Sequence, residues 1–303
     1  MRTESSVSSS FSPLVSVVIT AFNRADTIER AIESVTAQTI TDLEILVVDD
    51  ASTDATCAVV EAMSDPRIRL VRNPTNRGIG GAKNIGIHQA RGQYVAFLDS
   101  DDTWLPEKLA LQVQTLQASG ADAPLCFSAF WVHRADGGKT VLRQPRKIGS
   151  WRMSILMGET FSLGSTLLVR RAIFDEIGVF NENLTRLQDR DWTLRYLDHY
   201  PEFISLDQPL ARIHNSGWPK AETVQASTRA LLEANRERII RWDHSAYRLF
   251  DASLGFEVAV AHYRSGRLMH GLRGIVSILL REPRMVGYLG QRFWRKIKEG
   301  DLD

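Results

Sequence analysis

The chain has 303 residues, of which 44% are hydrophobic and 24% charged, with a formal net charge of +1. That is enough to bury a full core in one large domain or two, and the balanced charge argues against nucleic acid as the main partner. Only Cys57 and Cys126 occur, far apart and without metal-ligand neighbours, so neither a disulfide framework nor a zinc site is indicated and a reducing cytoplasm fits.

Residues 1–12 are polar and Ser-rich and are expected to form a disordered tail. The apolar run Leu14 to Ala21 lacks the length and cleavage context of a signal peptide. No segment approaches the ~18 consecutive apolar residues a spanning helix needs, so any membrane contact is expected to be peripheral. From Leu14 to Asp102 short β-branched runs alternate with amphipathic stretches, which predicts βαβ units around a mostly parallel sheet. The strands fall at Val15 to Ile19, Glu44 to Val48, Arg67 to Val71 and Tyr94 to Leu98. Ile28, Ala31, Ile32 and Val35 recur at helical spacing behind a capping-box pattern at Asp26 and Glu29. A second helix is expected from Gly80 to Ala90, and Pro106 is placed to open a third.

After Ala121 the pattern changes. Pro124 to His133 and Thr140 to Gln144 look extended and joined by a turn at 135–138, an antiparallel annex. A strand at Thr166 to Val169, a short helix at Arg171 to Ile177, a helix at Asp189 to His199 and a strand at Phe203 to Leu206 complete an α/β domain over 13–219. From Ala221 the chain turns helical, giving a C-terminal helical region over 220–303.

In an open parallel sheet, ligands bind beyond the carboxyl ends of the strands. Here the first strand runs into Thr20-Ala21-Phe22-Asn23-Arg24, the second into Asp49 through Asp54, and the fourth into Asp99-Ser100-Asp101-Asp102. Carboxylates crowded at one strand end raise one another's pKa or need a counter-ion, and oxygen-rich clusters suit Mg or Mn shared with substrate phosphates. A solvated Asp turn capping the next helix is the plainer reading of the same residues. Asn76 through Asn84 adds glycines, Arg77, Lys83 and helix-start amides, a plausible diphosphate neighbour. It is neither a Walker A sequence nor a first-strand G-x-G-x-x-G, so P-loop and dinucleotide readings fall.

These segments resemble the family 2 glycosyltransferases, whose fold is the GT-A type: a mostly parallel central sheet flanked by helices that binds a nucleotide-diphospho-sugar. The resemblance rests on Val15 through Arg24, Val47 through Asp54, Asn76 through Asn84, and Phe97 through Asp102 followed by Trp104-Leu105-Pro106, where Asp99-Ser100-Asp101 looks like the family's D-x-D element. It implies an inverting transfer from a UDP-, GDP- or dTDP-sugar to a saccharide or lipid-linked acceptor hydroxyl, in polysaccharide, cell-wall or glycolipid biosynthesis. It further implies that Asp50 bonds the base, that Thr20 and Phe22 line the same pocket with Asn23, Arg24 and Lys83 alongside, and that Asp101 coordinates Mn or Mg while Asp99 and Asp102 hold its waters or the sugar. Phe22 departs from a frequent Tyr and keeps only a ring face for stacking.

The same resemblance aligns Asp189 with the base that activates the acceptor, Asp191 being the fallback; Gln188 stands where Glu is usual. Asp189 serving only as a helix cap is the competing reading. His214 would contact the metal or leaving phosphate, or be structural; Trp192 and Trp218 would form an acceptor platform, or be core. Two other classes remain in view: a nucleotidyltransferase, which usually carries a Gly-rich basic loop after its first strand, and a sugar-nucleotide-binding protein without transferase activity. Finally, Leu279 to Lys298 mixes large apolar residues with Arg and Lys. This suits either peripheral contact with the inner face of a membrane or a packed helix with a solvated basic face.

Overall fold

The computed structural model describes residues 12–120, 123–134, 140–159, 163–215, 217 and 219–299. The elements run β1 (Val15–Ala21), α1 (Ile28–Thr36), β2 (Leu43–Asp49), α2 (Thr56–Ala62), β3 (Ile68–Arg72), α3 (Gly78–Gln89), β4 (Tyr94–Asp99), β5 (Thr103–Trp104) and α4 (Lys108–Ala118). Then follow β6 (Leu125–Arg134), β7 (Val141–Arg143), α5 (Trp151–Leu156), α6 (Leu163–Thr166), β8 (Leu167–Arg170), α7 (Ile173–Ile177), α8 (Gln188–His199) and β9 (Ile204–Asn215). Four helices close the chain: α9 (Ala221–Trp242), α10 (His244–Arg264), α11 (Leu268–Arg281) and α12 (Arg284–Glu299).

One sheet holds the strands in the order β3-β2-β1-β4-β8-β6-β9-β5, with β7 pairing with β6 off this path. β3, β2, β1 and β4 are parallel, β6 and β9 are parallel to each other, and β8, β7 and β5 run antiparallel to their neighbours. The predicted annex is therefore part of the main sheet. Its β6 is joined edge to edge with β8 and β9 because Leu125, Cys126, Phe127 and Ala129 are as apolar as any central strand and are fully buried.

Every residue of β1 and β2 is buried, because helices cover both faces. On one face Val18, Leu46, Val48 and Phe97 pack with α3, α7, α8, α9 and α10. On the other, Val17, Ile19, Val47 and Leu98 pack with α1 and α4. Leu231, Ile239, Phe250 and Leu254 belong to the first of these cores, so α9 and α10 are built into the sheet domain. Gly86 permits α3 to lie flat on β1; a Cβ there would stand 2.2 Å from Val18 Cγ1.

Three local expectations are corrected. The Asp26–Glu29 capping box does not form: Thr27 is the N-cap and no side chain caps α1, the chain entering instead through Thr27 N and Ile28 N donating to the Arg24 carbonyl. The strand expected at Phe203 to Leu206 continues to Asn215, with Pro209 accommodated where the β6–β9 register shifts. Helices α2 and α5 also stand in stretches that sequence periodicity left unassigned. The tail over 1–12 lies outside the described residues except Ser12, whose hydroxyl donates to the Arg91 carbonyl at 3.1 Å.

Candidate active site

The carboxyl ends of β1, β2 and β4 are level: Thr20 pairs with both Val48 and Asp99, and Ala21 with Asp49. Their loops therefore open on one edge. Among the described residues the non-glycine positions with left-handed backbone are Asn23 (φ 52°), Ala51 (φ 64°) and Leu187 (φ 64°), one in each of three segments bordering that edge. Strained backbone persists where surrounding bonds hold it. Asn23 N donates to Ser52 Oγ at 2.9 Å and Asn23 Oδ1 accepts from Thr53 N at 2.8 Å, tying the first loop to the second. Arg24 N donates to Thr56 Oγ1 at 2.8 Å, leaving the Arg24 side chain exposed. Phe22 projects at the strand end with 45% of its surface exposed, a ring face open to stacking, and Thr20 is buried beneath it in the strand.

Asp50 is buried and organises the neighbouring loop. Its Oδ1 accepts from Asn73 Nδ2 at 2.8 Å and Arg77 N at 2.9 Å, and its carbonyl accepts from Asn76 Nδ2 at 3.1 Å. Its Oδ1 is thus committed to the protein. Asp49 Oδ2 accepts from Ser52 N at 3.1 Å, a loop brace. Arg77 pairs with Glu182 at 2.8 Å on the surface.

The three acidic residues after β4 have separate fates. Asp102 is 2% exposed; its Oδ1 accepts from His214 N at 2.8 Å and its Oδ2 from Ser165 Oγ at 2.5 Å, which locks the loop to β9 and α6. Burial, then the nearby Asp99 charge, push its carboxyl well above the ordinary carboxylate range. Asp99 is partly exposed, with its amide donating to Ser165 Oγ at 3.1 Å and its Oδ1 buried without a hydrogen-bond partner. Burial raises its pKa against the pull of Lys83, and Asp189 and Asp101 add to the rise. Asp101 is held only through its backbone, where Arg30 Nη2 donates to its carbonyl at 2.9 Å.

Lys83 lies beneath the cleft. It is 1% exposed, its Nζ donates to Asp189 Oδ1 at 3.1 Å and stands 3.9 Å from Asp99 Oδ1, and the rings of Phe180 and Phe97 lie 5.6 and 5.7 Å away. Burial opposes its charge, but Asp189 and Asp99 outweigh that and hold its pKa above the usual lysine value. Lys83, expected alongside the nucleotide, is a buried counter-ion shared by two carboxylates. Asp189 sits in the first turn of α8 behind left-handed Leu187 and caps nothing; 27% of its side chain is exposed toward the cleft edge. Asp191, the fallback base, is consumed elsewhere: Asn235 Nδ2 donates to its Oδ1 at 2.8 Å and Arg195 Nε to its Oδ2 at 3.1 Å, joining α8 to α9. Gln188 is buried, its Oε1 without a partner.

His214 lies half-buried on β9, stacked on His133 with centroids 5.2 Å apart, and its Nδ1 has no partner. Burial, Arg30 and His133 lower its pKa, which keeps the ring neutral. Trp192 is core: 1% exposed, with Nε1 donating to the Gly178 carbonyl at 2.9 Å. Trp218 lies outside the described residues. Sequence reasoning missed Gly164 and Ser165, a small pair without a motif. Ser165 bridges Asp99 and Asp102, and a Cβ on Gly164 would stand 2.8 Å from Asp99 Oδ2.

Among the described residues no three His, Cys, Asp or Glu side chains converge as a self-sufficient metal cage. Asp99 Oδ1, which faces Lys83 but has no hydrogen-bond partner, and the neighbouring Asp101 carboxylate are donors of the kind a hard divalent cation takes together with substrate phosphates and water.

The sequence profile described as Glycosyl transferase family 2 matches residues 16–178. The succinoglycan biosynthesis protein ExoO of Rhizobium meliloti (strain 1021) is 52% identical over 109 residues, covering 36% of this chain and 31% of that protein. The Escherichia coli UDP-Glc:alpha-D-GlcNAc-diphosphoundecaprenol beta-1,3-glucosyltransferase WfaP is 40% identical over 104 residues, covering 34% of this chain and 41% of that protein. The matches thus span only 31% and 41% of these two relatives' length. Of solved structures, S. aureus TarS 1–349 in complex with UDP superposes with a TM-score of 0.58 at 19% identity, covering 90% of this chain and 91% of that one. The mannosyltransferase PcManGT from Pyrobaculum calidifontis, in complex with GDP-Man and Mn2+, does so with a TM-score of 0.55 at 20% identity, covering 96% and 87%. Matched over more than half its length and sharing the GT-A type fold of these structures, the chain belongs to glycosyl transferase family 2.

Proposed function

We propose that the protein is an inverting glycosyltransferase that moves a sugar from a nucleoside diphosphate to an acceptor hydroxyl. The observation that carries this reading is Asp189: a partly exposed carboxylate at the head of α8, aimed by a buried ammonium that also faces the Asp99 loop. A hydroxyl needs a base to attack at neutral pH, and a positioned carboxylate contributes about 10²- to 10⁴-fold. Asp189 takes that proton as the hydroxyl attacks the anomeric carbon from the side opposite the leaving diphosphate. Phe22 stacks on the nucleotide base, Asp50 accepts from it, and Asn23, Arg24 and Thr20 shape the same end.

Asp101 and Asp99 would hold Mn or Mg, which when bound neutralises charge on the diphosphate. His214, whose backbone N–H donates to Asp102 beside this loop, would contact the same diphosphate. Asp102 acts from below, setting the loop against His214.

For the donor we favour UDP-glucose and for the acceptor a sugar on a lipid diphosphate, because WfaP, similar over about a third of this chain, is named for both; polysaccharide biosynthesis agrees with ExoO. GDP- and dTDP-sugars remain as comparison donors, GDP-Man being bound in PcManGT. The free thiols Cys57 and Cys126 suit work in the cytoplasm, and a lipid-linked acceptor implies peripheral contact with the membrane's inner face through the basic C-terminal region. The test is metal-dependent hydrolysis and transfer across UDP-, GDP- and dTDP-sugars. Binding without either reaction would favour a sugar-nucleotide-binding protein, and release of pyrophosphate from UTP and a sugar phosphate a nucleotidyltransferase.

A further inference from the structure

No described helix is long and apolar enough to cross a membrane, yet α11 carries an uncovered apolar stripe. Leu268, Leu272, Val276 and Leu280 follow at four-residue spacing, one per turn of a single face, with Met269 beside them. They are 55%, 55%, 48% and 78% exposed, and Met269 is 60% exposed. The opposite face of the helix is the packed one: Gly271 lies against the Ala259 carbonyl and Tyr263, while Ile278 enters a small core with Met157, Leu249, Ala252 and Met285. The stripe is therefore not what attaches α11 to the domain. Single exposed apolar residues are ordinary; five on one helical face are not.

Charge identifies the occupant. Between Arg264 and Glu299 the sequence holds nine Arg or Lys and two acidic residues, and one of the two, Glu282, is buried and bonded to Arg284. Arg273 and Arg281 border the stripe itself. Arg281 faces Asp251 at 3.9 Å with both side chains well exposed, a pairing too weak to cancel its charge. An apolar face rimmed by guanidinium groups is complementary to a surface that is anionic outside and hydrocarbon beneath. It is poorly complementary to a second copy of itself, which would bring the same positive rims together.

The packed face is tied to the domain on a second side. Tyr288 on α12 donates from Oη to the Met157 carbonyl at 2.7 Å, and Met157 packs against Ile278 of α11.

We propose that the α11 face formed by Leu268, Leu272, Val276 and Leu280, with its Arg273 and Arg281 rim, lies on an anionic phospholipid surface and holds the chain there without crossing it. This deepens the lipid-linked-acceptor reading of the site, naming the surface on which that acceptor is met, and rests on it for that meaning alone.

The experiment is flotation of the full chain with vesicles of phosphatidylethanolamine and phosphatidylglycerol, against vesicles of phosphatidylcholine, without any sugar donor. The chain should float with the anionic vesicles, less so as salt is raised, and not with phosphatidylcholine. The double variant Leu272→Asp/Leu280→Asp should weaken flotation about tenfold or more while keeping its thermal transition and its metal-dependent hydrolysis of donor. Absence of flotation, or flotation that the double variant leaves unchanged, overturns the proposal. So does a concentration-dependent dimer that the double variant dissolves, which would assign the stripe to a second copy. Because the readout needs no catalysis, loss of flotation and loss of transferase activity are separate results.

Discussion

Lys83 Nζ lies 3.1 Å from Asp189 Oδ1 and 3.9 Å from Asp99 Oδ1, so one buried ammonium joins the α8 carboxylate to the loop after β4. Residues 106 positions apart in sequence are thereby set as one unit. Removing the ammonium leaves two carboxylates facing each other. Lys83→Met is expected to cost about 3 kcal/mol, the low end for breaking a buried pair because both carboxylates keep some solvent. The double variant Lys83→Met/Asp189→Asn should lose less than the sum of the single losses, as urea unfolding of the four proteins will show.

Asp101 and Asp102 should respond differently although adjacent. Asp101→Ala is expected to abolish metal-stimulated donor hydrolysis with little change in thermal stability, since its side chain supports no other part of the fold. Asp102→Ala leaves His214 N and Ser165 Oγ without their acceptor and should destabilise by about 1–3 kcal/mol. Calorimetry and metal titration on the two variants separate the effects.

Gly164→Ala probes the floor of the cleft. The added methyl would meet Asp99 Oδ2 at 2.8 Å, a contact that forces the carboxylate to move. Turnover should fall about tenfold or more, because small misplacements at a reacting centre are costly. The far-ultraviolet spectrum should stay that of the parent.

Lys108 gives a pH signature unrelated to the active site. It is fully buried, donates to Gln112 Oε1 at 2.7 Å and lies 3.9 Å over the Trp104 ring. Burial brings its pKa down to about 7 from an ordinary 10.5. Above pH 7 the folded chain has released a proton that the unfolded chain keeps up to about 10.5, so this residue makes stability rise with pH across that window. Below it, both states are protonated and the dependence vanishes. Cys126, pushed by burial up to about 12 from 9.0, acts with the opposite sign only above pH 9. Thermal unfolding between pH 7 and 9 should therefore rise more steeply in the parent than in Lys108→Met.

The sheet and its acidic edge were legible because their signals are local. Val15 to Ile19, Glu44 to Val48 and Tyr94 to Leu98 are dense in β-branched or large apolar residues, and each ends in polar turn residues that cannot continue a buried strand. What each carboxylate does was not legible, because burial and distant partners decide it. Asp102 and Asp191 look as available in sequence as Asp101 and Asp189, until β9 brings His214 to the first and α9 brings Asn235 to the second. Lys83 follows two glycines and an alanine, which reads as a phosphate loop; in the fold those small residues let α3 pack closely and turn the lysine inward. The strand expected to stop at Leu206 runs on to Asn215, with Pro209 absorbed at the β6–β9 register shift.

The central claim is that Asp189 is the base of a sugar transfer. The measurement is transfer from UDP-glucose, with Mn or Mg, to a GlcNAc-diphospho-lipid acceptor, comparing the parent with Asp189→Asn and following donor affinity in parallel by calorimetry. The account predicts product from the parent, a loss of about 10²- to 10⁴-fold in Asp189→Asn, and donor affinity within about twofold of the parent, since Asp189 faces the acceptor. Undiminished transfer by Asp189→Asn would contradict it.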